Sequence, residues 1–259
     1  MHYAVGDVHG GYDQLMQVLD QIETKDENAN IILLGDLVDR GKNTLGVLDW
    51  AMEHVSSDGK YRCIFGNHEE RVVTWYYSWR KWNKLKKARE KGVDMGIPLG
   101  PEPMTHYDFY QVAKEHGILD VDALAPYIAF MESLPYHIRL ELPCADGRVR
   151  IFHLVHAWYY PMFDDDSEEQ RYANLWSRQQ ENTEAKPNEI VVHGHTPTVA
   201  PTYTNEKNRR LTDRPGYIVR RPGGIDIDCG LGFIDRLGDE VRLGALCLET
   251  GEEFYSTIL

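Results

Sequence analysis

Three short motifs in the first quarter of the 259-residue chain carry side chains that could bind metal ions or transfer protons. They are residues 6–10 (GDVHG), 35–41 (GDLVDRG) and 66–69 (GNHE), and each follows a short, largely apolar run. In extended chain, residues two apart point the same way, so Asp7 and His9 could face one ion. A carboxylate such as Asp36 could bridge two ions. This combination indicates hydrolysis of a phosphate ester at a pair of divalent metals.

Six residues could supply the oxygen and imidazole ligands for such a pair. They are Asp7, His9, Asp36, Asn67, His156 and His195. Each alone has an ordinary explanation, such as a surface loop, a turn or a core histidine. Their joint appearance at predicted strand ends favours a metal centre. Ligands without thiolate suit manganese, iron, zinc or nickel, and we expect two divalent ions, with manganese as the first candidate.

His68 and Asp39 remain after the ligands are assigned. A histidine titrates near neutral pH and could protonate a leaving alkoxide, while an aspartate could hold its imidazole in the required tautomer. The alternative for Asp39 is a salt bridge to its neighbour Arg40. Arg40, Arg71 and Arg178 could bind phosphate, because a guanidinium group matches phosphate oxygens in two-point contacts. A single arginine such as Arg178 could equally be a surface charge.

Apolar spacing predicts the elements that position these residues. Strands are expected at residues 3–5, 31–34 and 62–65, and they alternate with two helices. The first helix would bury Leu15, Val18, Leu19 and Ile22; the second would be capped by Asn43 or Thr44 and would bury Leu45, Leu48 and Met52. This alternation predicts an α/β fold with parallel strands, in which functional residues gather beyond the carboxyl ends of the strands.

The rest of the chain is less regular. We interpret residues 72–130 as a helical insert, either packed with a solvated face or acting as a lid over the site. Further strands are expected at residues 136–142, 148–155, 190–192, 224–228 and 241–248. The polar, arginine-rich segment 205–221 is expected to form an exposed loop. We predict one domain over residues 1–259.

Composition limits the classes of function. The protein is 42% hydrophobic and 27% charged, with a formal net charge of -13, which argues against broad nucleic-acid binding. The four scattered cysteines lack zinc-site spacing and are expected to be reduced core residues. The sequence shows no signal peptide and no membrane-spanning segment, so we expect a cytoplasmic protein with no membrane partner. The oligomeric state is left open.

The three motifs resemble the signatures of the phosphoprotein phosphatase branch of the metallophosphoesterases. The resemblance extends through His156-Ala157, residues 194–197 (GHTP) and residues 226–230, with 72–130 the least similar stretch. It implies two packed mixed β-sheets flanked by helices. It also implies Asp7, His9 and Asp36 as ligands of one metal, and Asp36, Asn67, His156 and His195 as ligands of the other.

The resemblance implies further roles and a reaction. His68 and Asp39 would be the acid and its orienting partner, and Arg40, Arg71 and Arg178 would bind phosphate. The expected reaction is direct hydrolysis of a phosphomonoester by water that the two metals activate. The expected substrate is a phosphorylated protein, at serine or threonine and also tyrosine, or a small phosphoester.

Two alternatives stay open. A sister group of the family splits dinucleoside tetraphosphates symmetrically, although it tends to lack the aspartate found here at Asp39. The family usually has glycine after the His-Ala pair, where this chain has Trp158, whose ring could stack on a nucleobase or simply pack beneath the site. A more distant alternative is a module that binds metal and phosphate without catalysis.

Overall fold

The computed structural model describes residues 1–103, 109–178, 186, 188–200 and 212–257. Within them lie the strands β1 (His2–Val5), β2 (Asn30–Leu33), β3 (Tyr61–Cys63), β4 (His137–Pro143), β5 (Val149–Val155), β6 (Glu189–His193), β7 (Val219–Arg221), β8 (Gly224–Asp226), β9 (Gly244–Cys247) and β10 (Glu253–Tyr255). The helices are α1 (Tyr12–Lys25), α2 (Thr44–His54), α3 (Asn67–Glu90), α4 (Phe109–Glu115), α5 (Ala125–Glu132), α6 (Glu168–Trp176) and α7 (Ile234–Leu237). Short 3-10 helices occupy Val121–Leu124, Leu231–Phe233 and Gly238–Glu240.

The strands form two mixed five-stranded sheets. The first has the order β10-β9-β1-β2-β3; β1, β2 and β3 are parallel, and β9 pairs antiparallel with both β1 and β10. The second has the order β4-β5-β6-β8-β7, with a parallel centre and antiparallel edges. The carboxyl ends of the parallel strands therefore supply the loops that carry the motifs.

Two apolar clusters hold the layers together. Ala4 and Ile32 from the first sheet, with Ile64 just after β3, pack with Phe152 and Leu154 from the second sheet in the space between the sheets. The opposite face of the first sheet packs against the helices through a larger cluster. The predicted architecture of two packed mixed sheets flanked by helices is confirmed.

The predicted helices at the start of the chain are confirmed with one correction. All four expected apolar residues of α1 are buried, and the Asn43 side chain caps α2 by accepting the backbone N–H of Gly46. Met52 is 39% exposed, so its predicted burial was wrong. The buried face of α2 is centred one position earlier and includes Val47 and Ala51 in place of Met52.

The predicted exposed loop at residues 205–221 was wrong at its end. Val219–Arg221 forms edge strand β7, which pairs antiparallel with β8, and Val219 is buried. Residues 205–211 lie outside the described part of the chain. This strand has only three residues, two of them arginines, and Arg220 faces solvent. It is therefore too short and too polar to show the alternation of apolar and polar residues by which strands are recognised.

The described part of the insert is mostly helical, apart from non-helical residues that include 91–103. Helices α3, α4 and α5 and the intervening 3-10 turn pack against the large cluster, with Trp75 and Tyr76 buried in it. The predicted insert boundary at residue 72 lies inside α3, which begins at Asn67 and is continuous to Glu90. The four cysteines are free and buried, as expected of core residues. Within the described ranges, no helix is both long and apolar enough to cross a bilayer.

Trp158 packs beneath the site and does not form a platform for a substrate ring. Its side chain has no exposed surface and lies in a small cluster with Val155, Tyr159 and Val191 on the outer face of the second sheet. Gly224 leaves the room for it, since a Cβ there would approach the indole to 2.9 Å. The stacking role considered for Trp158 was therefore wrong.

We expect Trp158→Ala to lower the free energy of unfolding by about 3–5 kcal/mol, because it removes a fully buried indole and leaves a cavity. Urea denaturation of the variant and the wild type would measure the loss. Trp82→Ala, at a half-buried position on α3, is the matched control and should cost clearly less. Equal losses for the two variants would contradict the assignment of Trp158 to the core.

Candidate metal centre

The six predicted ligands converge at the carboxyl ends of five strands. Asp7 follows β1 and Asp36 follows β2, while Asn67 is the first residue of α3, shortly after β3. His156 directly follows β5, and His195 lies two residues beyond β6. All are buried, with exposed fractions no greater than the 7% of His195. The two sheets thus bring residues separated by almost 190 positions into one cluster.

Asn67, His156 and His195 meet at one point. The Oδ1 atom of Asn67 lies 2.8 Å from Nε2 of His156 and 2.9 Å from Nδ1 of His195. These two ring nitrogens are 3.3 Å apart, and Asp36 Oδ1 is 3.4 Å from the His156 nitrogen. Four potential ligand atoms therefore surround a common space.

The tautomer of His156 shows that this space suits a cation. Its Nδ1 lies 2.9 Å from the carbonyl oxygen of Leu34, so Nδ1 carries the proton and Nε2 offers a lone pair. Burial lowers the pKa of His156, which favours the neutral ring without a second proton. The lone pair of Nε2 then faces the Asn67 carbonyl oxygen, which is also only an acceptor. Two acceptors this close repel each other unless a cation lies between them.

A second group of ligand atoms shares Asp36. His9 donates its Nδ1–H to the carbonyl oxygen of Val38 at 3.0 Å, which leaves its Nε2 facing Asp36 Oδ2 at 3.5 Å. Ligand atoms of His9, Asp36 and His68 lie within 4.8 Å of one another, as do those of Asp7, Asp36 and His156. Asp36 belongs to both groups, so its carboxylate can serve two ions.

The electrostatics of the cluster also call for cations. Burial raises the pKa of Asp7, and the carboxylates of Asp228 and Asp36 raise it further. Burial raises the pKa of Asp228 to about 6. The pKa of Asp36 would also rise through burial alone, but it is held below its ordinary value by positive charge at His156, His68 and His9, which these rings carry only when protonated. Several buried carboxylates repel one another, and divalent ions would neutralise them.

Asp39 and His68 form a hydrogen-bonded pair beside this cluster. His68 Nδ1 is 2.7 Å from Asp39 Oδ2, and Arg40 Nη2 is 3.1 Å from His68 Nε2. A guanidinium group can only donate, so Nε2 accepts from Arg40 and Nδ1 carries the proton that Asp39 accepts. The alternative role of Asp39 was a salt bridge with Arg40. The Asp39 carboxylate instead contacts the imidazole of His68.

The other two arginines lie at the rim of the cluster. The Arg71 guanidinium stacks 4.7 Å from the centre of the Trp176 ring, and that ring lies 6.2 Å from the ring of His195. Arg178 donates to the hydroxyl of Thr196, the neighbour of His195, at 3.3 Å. Trp176 and Thr196 therefore hold Arg71 and Arg178 near His195 and the group of ligand atoms to which it belongs.

Glu69 is a residue whose importance the sequence did not reveal. It has no exposed surface, and its carboxylate accepts the backbone N–H groups of Asp36, Leu37 and Gly66 at 2.8–2.9 Å. Burial raises its pKa to about 7, while the backbone donors act in the opposite direction. Glu69 thus joins the second motif to the third. Its place in the GNHE signature was the available signal.

The backbone of the site is unusual. Among the described residues, those other than glycine with positive φ are His9, Asp36, Asp39, Arg40 and His195, at 46° to 71°. All five belong to the predicted site. Side chains rarely adopt this region, so each such residue persists only where its surroundings impose it.

Comparison with known proteins agrees with this geometry. A family model described as calcineurin-like phosphoesterase matches residues 3–221. A zinc-dependent endopolyphosphatase of Saccharomyces cerevisiae is 35% identical over 121 residues, which are 44% of this chain and 34% of that protein. A symmetrical bis(5'-nucleosyl)-tetraphosphatase of Salmonella arizonae is 44% identical over 68 residues, 26% of this chain and 23% of that protein. The matches therefore span about a third or less of these relatives.

A solved structure shares the fold over nearly the whole chain. The cold-active protein-tyrosine phosphatase of a psychrophilic Shewanella species superposes with a TM-score of 0.54 and 16% identity. The match covers 99% of this chain and 80% of that one. At this identity the likeness concerns the fold alone.

We expect Glu69→Gln to weaken metal binding by about 10- to 100-fold, because loss of a partner that orients a ligand typically has this effect. The new amide group would place N–H donors either against the backbone N–H groups of residues 36 and 66 or against those of residues 37 and 38. Isothermal titration calorimetry of the metal-free protein with manganese would measure the change in metal affinity. Glu90→Gln, at the other end of α3, is the control and should bind as the wild type does. Unchanged affinity in Glu69→Gln would contradict the positioning role.

Proposed function

Because the chain belongs to the calcineurin-like phosphoesterase family, we propose that this metal-dependent phosphoesterase is a phosphatase of the phosphoprotein phosphatase branch. Its substrates would be phosphomonoesters of alcohols, most importantly phosphoserine and phosphothreonine in proteins, with phosphotyrosine as a further substrate. Two divalent ions, manganese first among the candidates, would occupy the centre.

The observation that carries this proposal is the contact between Asp39 and His68. A serine or threonine alkoxide is a poor leaving group and needs a proton as the ester bond breaks. A phosphate group leaving from an anhydride is more acidic and needs less help. An imidazole held at 2.7 Å by a buried aspartate, with its Nε2 directed towards Asp36, can take up a proton from water at Nε2 and then pass that proton to the leaving oxygen. The site is therefore better suited to alkyl esters than to anhydrides.

The ligand residues have defined parts in the reaction. Asp7, His9 and Asp36 would hold one ion, and Asp36, Asn67, His156 and His195 the other. When bound, such ions activate water and stabilise negative charge on phosphate oxygens. The carbonyl oxygens of Val38 and Leu34 would keep His9 and His156 in the tautomers that leave Nε2 able to bind a metal.

The arginines would bind the phosphate. Arg40 is 3.1 Å from His68 Nε2, and an incoming phosphate would compete for its guanidinium group. Once Arg40 turns to the phosphate, His68 Nε2 is free to carry the proton for the leaving group. Arg71, which stacks on Trp176, and Arg178, which donates to Thr196, would bind further phosphate oxygens.

One observation favours a second candidate, hydrolysis of dinucleoside tetraphosphates or other nucleotides. A groove of about 810 Å³ beside Arg178 is lined by the rings of Tyr160, Phe163, Tyr172 and Trp176. Aromatic rings beside a phosphate-binding arginine could stack on a nucleobase. The tetraphosphatase among the relatives acts on such a molecule by its name, although it shares only 68 aligned residues with this chain.

A phosphoserine peptide and a dinucleoside tetraphosphate, assayed side by side with manganese, would separate the two candidates. We expect kcat/KM for the peptide to be greater by about tenfold or more, because the acid favours alkoxide leaving groups. The opposite order would establish the second candidate. In that case Tyr172→Ala, at an exposed ring of the groove, should raise KM for the nucleotide and leave the peptide unaffected.

We expect His68→Asn to lower kcat for a phosphoserine peptide by about 10²- to 10⁴-fold, the usual contribution of acid catalysis. The loss for para-nitrophenyl phosphate should be much smaller, because its leaving group is already acidic. Metal content, measured after dialysis, should stay close to the wild-type value. Equal losses on both substrates would remove His68 from the role of acid.

A further inference from the structure

One face of helix α3 carries a concentrated positive charge on a protein whose formal net charge is -13. Arg80, Lys84, Lys87 and Lys91 follow at intervals of four, three and four residues, which places them in a single row along the helix. Lys81 lies beside this row. All five line a groove of about 740 Å³.

Of these five basic residues, only Arg80 forms an ion pair within the part of the chain that the structure describes. Arg80 pairs with Asp122 at 2.9 Å. Across the ranges the structure describes, Lys81, Lys84, Lys87 and Lys91 have no carboxylate partner, and all four are exposed. Like charges three or four residues apart destabilise a helix. The row therefore has a cost within the folded chain that an anionic partner would remove.

The lining of the groove also includes apolar side chains. Trp79, Ala88 and Val93 line it together with the basic residues. From Arg80 to Lys91 the row extends about 17 Å at 1.5 Å per residue, the length of about five residues of extended peptide. A longer polyanion, such as a nucleic acid, would have to continue over a surface that is acidic overall. A short acidic peptide matches the groove in both length and charge.

The same helix fixes the distance between the groove and the metal centre. Asn67, a predicted ligand, is the first residue of α3, and α3 is continuous to Glu90. Arg80 is thirteen residues further on, or about 20 Å along the axis, and Lys91 follows the helix at about 36 Å. A small phosphoester cannot occupy both places, whereas one protein chain can.

We propose that this basic groove is a docking site for an acidic segment of the phosphoprotein substrate, remote from the phosphorylated residue itself. The proposal rests on the proposed protein phosphatase function. It predicts that docking raises the local concentration of the phosphoserine at the metal centre, so it lowers KM and leaves kcat unchanged.

The test uses phosphoserine peptides that carry about five glutamates after a Gly/Ser spacer. A spacer of about three residues spans at most about 11 Å and cannot bridge the distance, whereas one of about twelve residues spans about 40 Å and can. We expect the glutamates to lower KM about tenfold or more with the long spacer and clearly less with the short one, whose last glutamates reach only the Arg80 end of the groove. Glutamines in place of glutamates provide the baseline.

A triple variant, Lys84→Gln with Lys87→Gln and Lys91→Gln, should abolish this gain and leave hydrolysis of para-nitrophenyl phosphate unchanged. The matched control, Lys25→Gln with Lys60→Gln and Lys186→Gln, changes the net charge equally at exposed lysines that pair with Glu252, Glu23 and Glu189, and it should retain the gain. A gain that persists in the first variant, or that does not depend on spacer length, would overturn the proposal.

Binding without catalysis separates this proposal from the proposed function. A fluorescent pentaglutamate peptide without phosphoserine should bind the wild type and the control variant, but not the groove variant, by fluorescence anisotropy. Binding should weaken as salt screens the charges. If the peptide binds while no phosphopeptide is hydrolysed, the protein phosphatase function fails and the anionic site remains; if phosphopeptides are hydrolysed while no peptide binds, the docking site fails.

Discussion

The site depends on holding together buried groups that repel one another. The lone pair of His156 Nε2 faces the Asn67 carbonyl oxygen at 2.8 Å, and the carboxylates of Asp7, Asp36 and Asp228 are buried nearby. No hydrogen atom relieves the first contact, because the tautomer of His156 is fixed by the carbonyl oxygen of Leu34. A bound cation would attract all of these groups. Before it binds, the backbone must therefore be rigid enough to hold them in place against their mutual repulsion.

That frame is the backbone, and it is strained where the ligands are. Asp36 and His195 have φ values of 49° and 67°, and Glu69 holds the loop at Asp36 through several backbone N–H groups. Close approach adds a second constraint, since a Cβ at Gly194 would come within 1.9 Å of the Asp7 carboxylate. Glycine at that position is therefore required for the contact between the loops that follow β1 and β6.

Much of the fold could be predicted because its signals are local. Buried parallel strands read as apolar runs, and the α1 face repeats with helical spacing, so both were confirmed. The prediction for Met52 was wrong because the spacing of apolar residues predicts a helix but does not determine which of two neighbouring positions faces the core. Strand β7 was missed because an edge strand of three residues has little pattern, and β10 (Glu253–Tyr255) was missed for the same reason. The site residues were identifiable by type, but Glu69 acts through backbone groups that leave no mark on its neighbours in sequence.

Helix α3 connects the candidate metal centre at its first turn with the basic groove at its last turns. Its first turn supplies Asn67 and His68 to a buried cluster that needs cations, and its last three turns present lysines to solvent. The first turn is held by burial and by Glu69, whereas the lysines keep their positions only because the apolar face of the helix, including Trp75, Tyr76 and Leu85, is buried. Since one continuous helix carries both, the distance between them is fixed by its rise per residue. A substrate that bound both the metal centre and the basic groove would be selected by the distance between its phosphate and its acidic segment. The metal ligands alone could not distinguish substrates by that distance.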